Sequence, residues 1–188
     1  GNINNRIRGC GIMNRNTVLS DGVYRLRAPE PEDLQYLYRM ENDTNLWDIS
    51  NNQVPYSRYQ LKKYISESAH DIYTDRQVRF MIERIEDEIV MGCIDLTDIN
   101  ISNGRAEVGI AIFPEYRNKG VGAASLKILS GYAEKVLNLR QLFGFVPIDN
   151  IPSLNLFINN GFQKTGQLKE WIRCSDRYCD VVMVQKIF

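Results

Sequence analysis

The chain has one histidine, His70, and four cysteines, Cys10, Cys93, Cys174 and Cys179, none of them in a C-x-x-C pair. A zinc site needs closely spaced thiolates or imidazoles, so no metal centre is expected. Cys93 falls in an apolar strand pattern, where a small buried thiol is the ordinary occupant rather than a nucleophile. An excess of one charge is also missing: 23 Lys and Arg balance 23 Asp and Glu. Without a basic stripe there is no footprint for nucleic acid, which is excluded as a partner. No apolar run approaches the ~18 residues of a membrane span, so a membrane partner is excluded too. The opening residues, GNINNRIRGCGIM, lack the apolar core of a secretory signal. Repeats, low-complexity tracts and linkers are absent as well. What remains, at 188 residues, suits one cytoplasmic domain over residues 20–188 behind a tail at 1–19. A homo-oligomer is compatible with this composition.

What is present is a regular exchange of strand and helix periods. Val23 to Ala28 alternates as a strand, and Pro29-Glu30-Pro31-Glu32-Asp33 opens a helix with acids in its first turn. Tyr56 to Ser68 reads as a second helix. Val78 to Ile85 and Ile89 to Leu96 form a hairpin through Glu86-Asp87-Glu88, and Ala106 to Phe113 is the next strand. Val121 to Leu137 is a long helix with Leu126, Leu129, Ala133 and Leu137 on one face. A strand over Leu139 to Val146 and a helix over Asn150 to Asn160 follow. The last strands lie near Phe162 to Ile172 and Tyr178 to Ile187. That order fits an α/β (α+β mixed) class, a mostly antiparallel sheet of about seven strands with helices on both faces.

The most informative stretch is GIAIFPEYRNKGVGAAS, Gly109 to Ser125. An apolar strand runs into Pro114, a basic turn Arg117-Asn118-Lys119 follows, and Gly120-Val121-Gly122-Ala123 opens the long helix at once. Glycine lets backbone approach a ligand because no Cβ intervenes. The first helix amides lack helical partners and carry the positive end of the dipole, which suits a pyrophosphate. A dinucleotide fingerprint would need a third glycine where Ser125 stands, and a P-loop would need its lysine after the glycines, whereas Lys119 precedes both.

The pattern instead resembles the acyl-CoA signature R/Q-x-x-G-x-G/A of the GNAT superfamily of N-acetyltransferases, with Arg117, Gly120 and Gly122 in the required places. The element order over about residues 23 to 187 resembles the GNAT fold as well. The resemblance implies acetyl-CoA as co-substrate and a strand parting from its neighbour to expose amides around Ile112 and Phe113. It also implies a proton-handling group on that strand. Glu107 is the candidate, on a face shared with Gly109, Ala111 and Phe113, opposite Ala106, Val108, Ile110 and Ile112. The segment DNIPSLNLFINNGF resembles a motif whose helix contacts CoA, through Asn150 and Ser153 here. Many relatives have a tyrosine, which protonates the departing thiolate, where this chain has Phe157. Phenylalanine cannot donate a proton, and core packing is expected of it.

Further segments resemble bacterial spermidine/spermine N-acetyltransferases: Arg25-Leu26-Arg27 before Pro31-Glu32-Asp33, Arg79-Phe80-x-x-Glu83, Arg105-Ala106-Glu107 and Pro114-Glu115-Tyr116. A polycation needs carboxylates around it, and Glu41, Asp43 and Asp48 after the first helix are the candidate amine-binding residues. The resemblance thus implies acetyl transfer to a small primary amine, a polyamine, by direct attack in a ternary complex. Alternatives are an enzyme acting on protein N-termini of the ribosomal-protein type, which Phe157 and the Asn150/Ser153 pair suit, and a CoA-binding module without catalysis.

Overall fold

The computed structural model describes residues 18–43, 54–67 and 71–188. Its strands are β1 (Tyr24–Arg27), β2 (Val78–Arg84), β3 (Ile89–Asn100), β4 (Arg105–Ile112), β5 (Gln141–Pro147), β6 (Gln163–Cys174) and β7 (Arg177–Ile187). They form one seven-stranded sheet in the order β1-β2-β3-β4-β5-β7-β6. Every pairing is antiparallel except β4 with β5, which is parallel. The helices are α1 (Leu34–Asn42), α2 (Arg58–Glu67), α3 (Ile72–Asp75), α4 (Val121–Lys135) and α5 (Ile151–Asn159). The expected mixed, mostly antiparallel sheet is therefore present. Among the described residues no helix is long and apolar enough to cross a membrane.

Alternation in the strands gives the sheet two apolar faces, and helices cover both. Leu37 and Met40 of α1 and Leu61 of α2 pack on Met81, Cys93 and Phe113. On the other side, Leu126, Leu129 and Ala133 of α4 and Leu154 of α5 pack against Ile82, Ile94, Leu96, Ala106 and Val108. The odd residues of β4 therefore look toward α1 and α2, and the even ones toward α4. Helix α1 starts where its acidic opening predicts. Glu30 forms a reciprocal capping box with Asp33 around a 3-10 turn, Pro31–Asp33, that leads into Leu34.

Three features depart from expectation. Leu19, assigned to the tail, packs on the core and accepts the Leu26 amide at 2.8 Å; residues 1–17 lie outside the described residues. The four-residue helix α3 has too little length for a period to be seen in sequence. Strand β3 runs on to Asn100 through an irregularity after Thr97, with Asp98 at a left-handed φ of 45°.

Candidate active site

The parallel ladder between β4 and β5 is short. Arg105 pairs with Gln141, Ala106 with Leu142 and Glu107 with Phe143, where the register ends although both strands continue. Strand β4 stays on β3 as far as Ile112 opposite Gly92. That approach demands glycine: a Cβ at Gly92 would lie 2.1 Å from the Ala111 carbonyl oxygen. Held by β3 and released by β5, β4 borders a gap. The Phe113 amide donates to Met91 O at 2.9 Å, so amides of that parity face β3 and those of Ile110 and Ile112 face the gap. The expected donor pair is thereby corrected. Ile112 retains its place, but the Phe113 amide belongs to the sheet and its ring is 1% exposed, beneath the Arg39 guanidinium at 4.3 Å. The Ile112 carbonyl accepts from Arg117 Nε at 3.1 Å.

Beyond β4, a 3-10 turn over Pro114–Tyr116 leads into the basic loop. Asn118 at φ 59° and Gly120 at φ 81° adopt left-handed conformations, which turn the chain sharply into α4. Val121 is buried and pins the start of the helix. Ala124 is the first amide in the helical ladder, donating to Gly120 O at 3.1 Å, so the amides of Val121, Gly122 and Ala123 stand at the helix end. Among the described residues no side chain caps them. Nothing lies within 4 Å of a Cβ built at Gly120, which borders open space. Gly122 differs from expectation: its Cβ would meet Leu156 Cδ2 of α5 at 3.3 Å, so this glycine admits a neighbouring helix rather than the space in front of the amides. Arg117 and Lys119 are exposed beside them. The one acid of the turn, Glu115, is engaged by Arg39 through bonds of 2.6 and 2.9 Å. That hydrogen bonding holds its carboxyl down to about 2.

Glu107 stands where the gap begins, opposite Thr97 on one side and Phe143 on the other. Burial raises its carboxyl above the ordinary value, and the charge of Asp98 adds to the rise. Gly109 and Ala111 follow on the same face. Further along it lies a charged group that the sequence reading missed. Arg79 of β2 donates Nε and Nη2 to Asp95 of β3, each at 2.9 Å, and Nη1 to Glu41 of α1 at 2.8 Å. Tyr64 of α2 adjoins it; burial raises the phenol and Arg79 opposes the rise. The available signal was a charged residue at an inward position of each of two strands, Arg79 in β2 and Asp95 in β3. Cys93 is a packed core residue whose burial pushes its thiol up to about 12, so it supplies no nucleophile.

The expected acidic loop is altered by these contacts. Glu41 lies in the last turn of α1 and is committed to Arg79. Asp43 closes α1, donating its amide to Arg39 O at 3.0 Å. Asp48 lies outside the described residues. Asn42 grips the far side of that segment: its Nδ2 donates to Tyr56 O and its Oδ1 accepts the Tyr56 amide, both at 3.0 Å. In the second expected CoA contact, Asn150 Oδ1 accepts the Ser153 amide at 3.2 Å, so the oxygen caps α5. Phe157 is 4% exposed and edge-on to Phe162 at 5.0 Å, which is the packing expected of it.

Known proteins share this fold. A family model described as an acetyltransferase (GNAT) domain matches residues 24–163. The spermidine N(1)-acetyltransferase of Vibrio cholerae is 28% identical over 157 residues, 83% of this chain and 88% of the relative. That of Escherichia coli K12 is 28% identical over 159 residues, 84% of this chain and 82% of the relative. A crystal structure of spermidine N-acetyltransferase from Vibrio cholerae in complex with CoA and spermine superposes with a TM-score of 0.81 at 25% identity, covering 89% of this chain and 96% of that one.

Proposed function

Because this chain belongs to the GNAT acetyltransferase family, we propose that it moves the acetyl group of acetyl-CoA to a primary amine of a polyamine such as spermidine or spermine, by direct attack in a ternary complex. One observation carries the reading: the gap between β4 and β5 opens at Glu107 and leads to the uncapped start of α4. At that helix end the amides of Val121, Gly122 and Ala123, with Arg117, Asn118, Lys119 and Gly120, receive the pyrophosphate. The acyl arm then runs along β4, and the Ile112 amide donates to the carbonyl oxygen as it gains negative charge. Ser153 and the Asn150 amide group border the same cofactor from α5.

The ammonium of the acceptor gives its proton to Glu107, directly or through water. A carboxyl raised by burial is the stronger base and serves once the pH exceeds its raised pKa. The free amine attacks the thioester carbon, the nitrogen of the tetrahedral adduct loses its second proton to solvent, the adduct collapses with cleavage of the C–S bond, and the thiolate takes a proton from solvent. Cys93 is sealed in the core, which favours this single displacement over an acetyl-enzyme. Glu41, Asp43 and Asp48 contribute negative charge on the acceptor side, Glu41 through its pair with Arg79. The names of the relatives support the polyamine.

Steady-state assays with acetyl-CoA and spermidine, spermine or short peptides beginning with Ser or Ala test the reading. Acetylation of the polyamines at much the higher kcat/KM is expected. Acetylation of the peptides alone would replace it with the N-terminal activity.

A further inference from the structure

Helix α1 and the basic turn meet at one ion pair. Arg39, in the last turn of α1, donates Nη1 and Nη2 to the two carboxylate oxygens of Glu115 at 2.6 and 2.9 Å. Its guanidinium lies 4.3 Å from the centre of the Phe113 ring, which is buried and held to β3 through its own amide. A planar cation stacked on a fixed ring and forked onto a carboxylate has a defined orientation, so Glu115 is tied to α1. The two side chains are 45% and 44% exposed, and a pair so open adds little to stability. Its consequence lies in the neighbouring charges.

Glu115 stands two residues before Arg117. The charge of Arg117 also lowers the Glu115 carboxyl, so the two side chains act on each other. Arg117 spends Nε on the Ile112 carbonyl at 3.1 Å, and among the described residues its Nη1 and Nη2 have no other hydrogen-bond partner. A carboxylate turned onto that fork would take the N–H groups a pyrophosphate needs. It would also repel the pyrophosphate itself. Arg39 prevents both by engaging the two oxygens of Glu115.

We propose that Arg39 is a positioning residue for the cofactor: it keeps Glu115 off Arg117 and so leaves the Arg117 fork to the pyrophosphate of acetyl-CoA. The inference rests on the cofactor-site reading above. A merely structural tie between α1 and the turn would be broken alike by removing either partner. The charge role gives opposite signs, because losing Arg39 releases a carboxylate, whereas losing the Glu115 charge removes it.

The test is calorimetry of the full chain with acetyl-CoA at low and high salt. Arg39→Met should raise Kd about five-fold, the equivalent of the ~1 kcal/mol of a well-formed exposed pair. Glu115→Gln should leave Kd at or below the parent value. Arg39→Met combined with Glu115→Gln should return it to within about two-fold of the parent. Asp43 also acts on Arg39 by charge and is kept in every variant, so that return assigns the loss to Glu115. The ratio of Arg39→Met to parent should fall toward one as ionic strength nears ~1 M, where screening acts within ~3 Å. If Arg39→Met does not fold, Glu115→Gln decides alone, and a Kd above the parent value overturns the inference. A Kd unmoved by Arg39→Met, raised alike by both single variants, or not restored by the double variant also overturns it and leaves the cofactor site standing. An Arg117→Ala variant that binds acetyl-CoA as tightly as the parent overturns both.

Discussion

Replacing Phe157 separates packing from chemistry. The ring is 4% exposed and meets Phe162 at 76° between planes. Its para carbon lies 3.6 Å from where a Cβ of Gly144 would stand, and Gly144 follows Phe143, the last residue of β5 paired to β4. The ring tip therefore packs beside the β5 residue that follows the end of the pairing to β4. Phe157→Ala removes a buried aromatic, at a cost of about 3–5 kcal/mol. At about 2–4 °C per kcal/mol for a chain of this size, Tm should fall by roughly 6–20 °C. Phe157→Tyr adds a hydroxyl beside a residue with no side chain, where access to the gap would satisfy it and leave Tm changed by less than ~2 °C. A hydroxyl sealed in the core without a partner would instead cost about 1–3 kcal/mol. Thermal denaturation and kcat on the same preparations read both quantities. With a thiolate as leaving group, kcat of the Tyr variant should stay within about ten-fold of the parent. An unchanged Tm in the Ala variant would refute the packing argument. A rise in kcat of about 100-fold or more with Tyr would refute the view that the reaction runs without a side-chain acid.

Glu107→Gln should lower kcat by roughly 10²–10⁴ while calorimetry finds acetyl-CoA affinity intact; near-normal turnover would return Glu107 to a structural role. Because burial raises this carboxyl above its unfolded value, its ionisation opposes folding as pH rises through the raised pKa. The Gln variant should therefore gain Tm at neutral pH and lose that gain in acid, and the parent's activity should climb with pH through the same value. Arg117→Ala should weaken acetyl-CoA by about ten-fold or more, from the ~1.5–3 kcal/mol of a charged hydrogen bond. Gly122→Val should also weaken it by pushing Leu156 and the helix start apart, and calorimetry finding both variants unchanged would sink the cofactor assignment. Glu41→Gln with Asp43→Asn should raise the polyamine KM and flatten its rise with ionic strength, since charge acts over ~8 Å at physiological salt. An unaltered salt profile would remove these acids from the acceptor side.

Local signals carried much of this structure into the sequence. Strand alternation and the Pro31 opening of α1 are properties of adjacent residues, and each element they mark is present. Gly120 was legible as a residue with no Cβ at a helix start, and open space does lie where its Cβ would stand. The role of Gly122 was not, because Leu156 approaches it from a distant helix. Glu41 read as an open acid because its partner, Arg79, lies 38 residues away. The same limit applies to Phe113, whose amide direction depends on its register with Met91. Spacing along a chain states which face a residue occupies, but not what arrives there from another strand.

The two bonds from the Asn42 carboxamide to the Tyr56 backbone make the segment between them a closed ring. Its ends are fixed to each other before the interior contributes anything, so α1 and α2 need not sense how many residues it contains. Lengthening such a ring costs only about 0.6 kcal/mol for each doubling. A change of length between Asn42 and Tyr56 therefore leaves Glu107, the gap and α4 in position. Asn42 thereby uncouples the spacing of α1 and α2 from the length of chain between them.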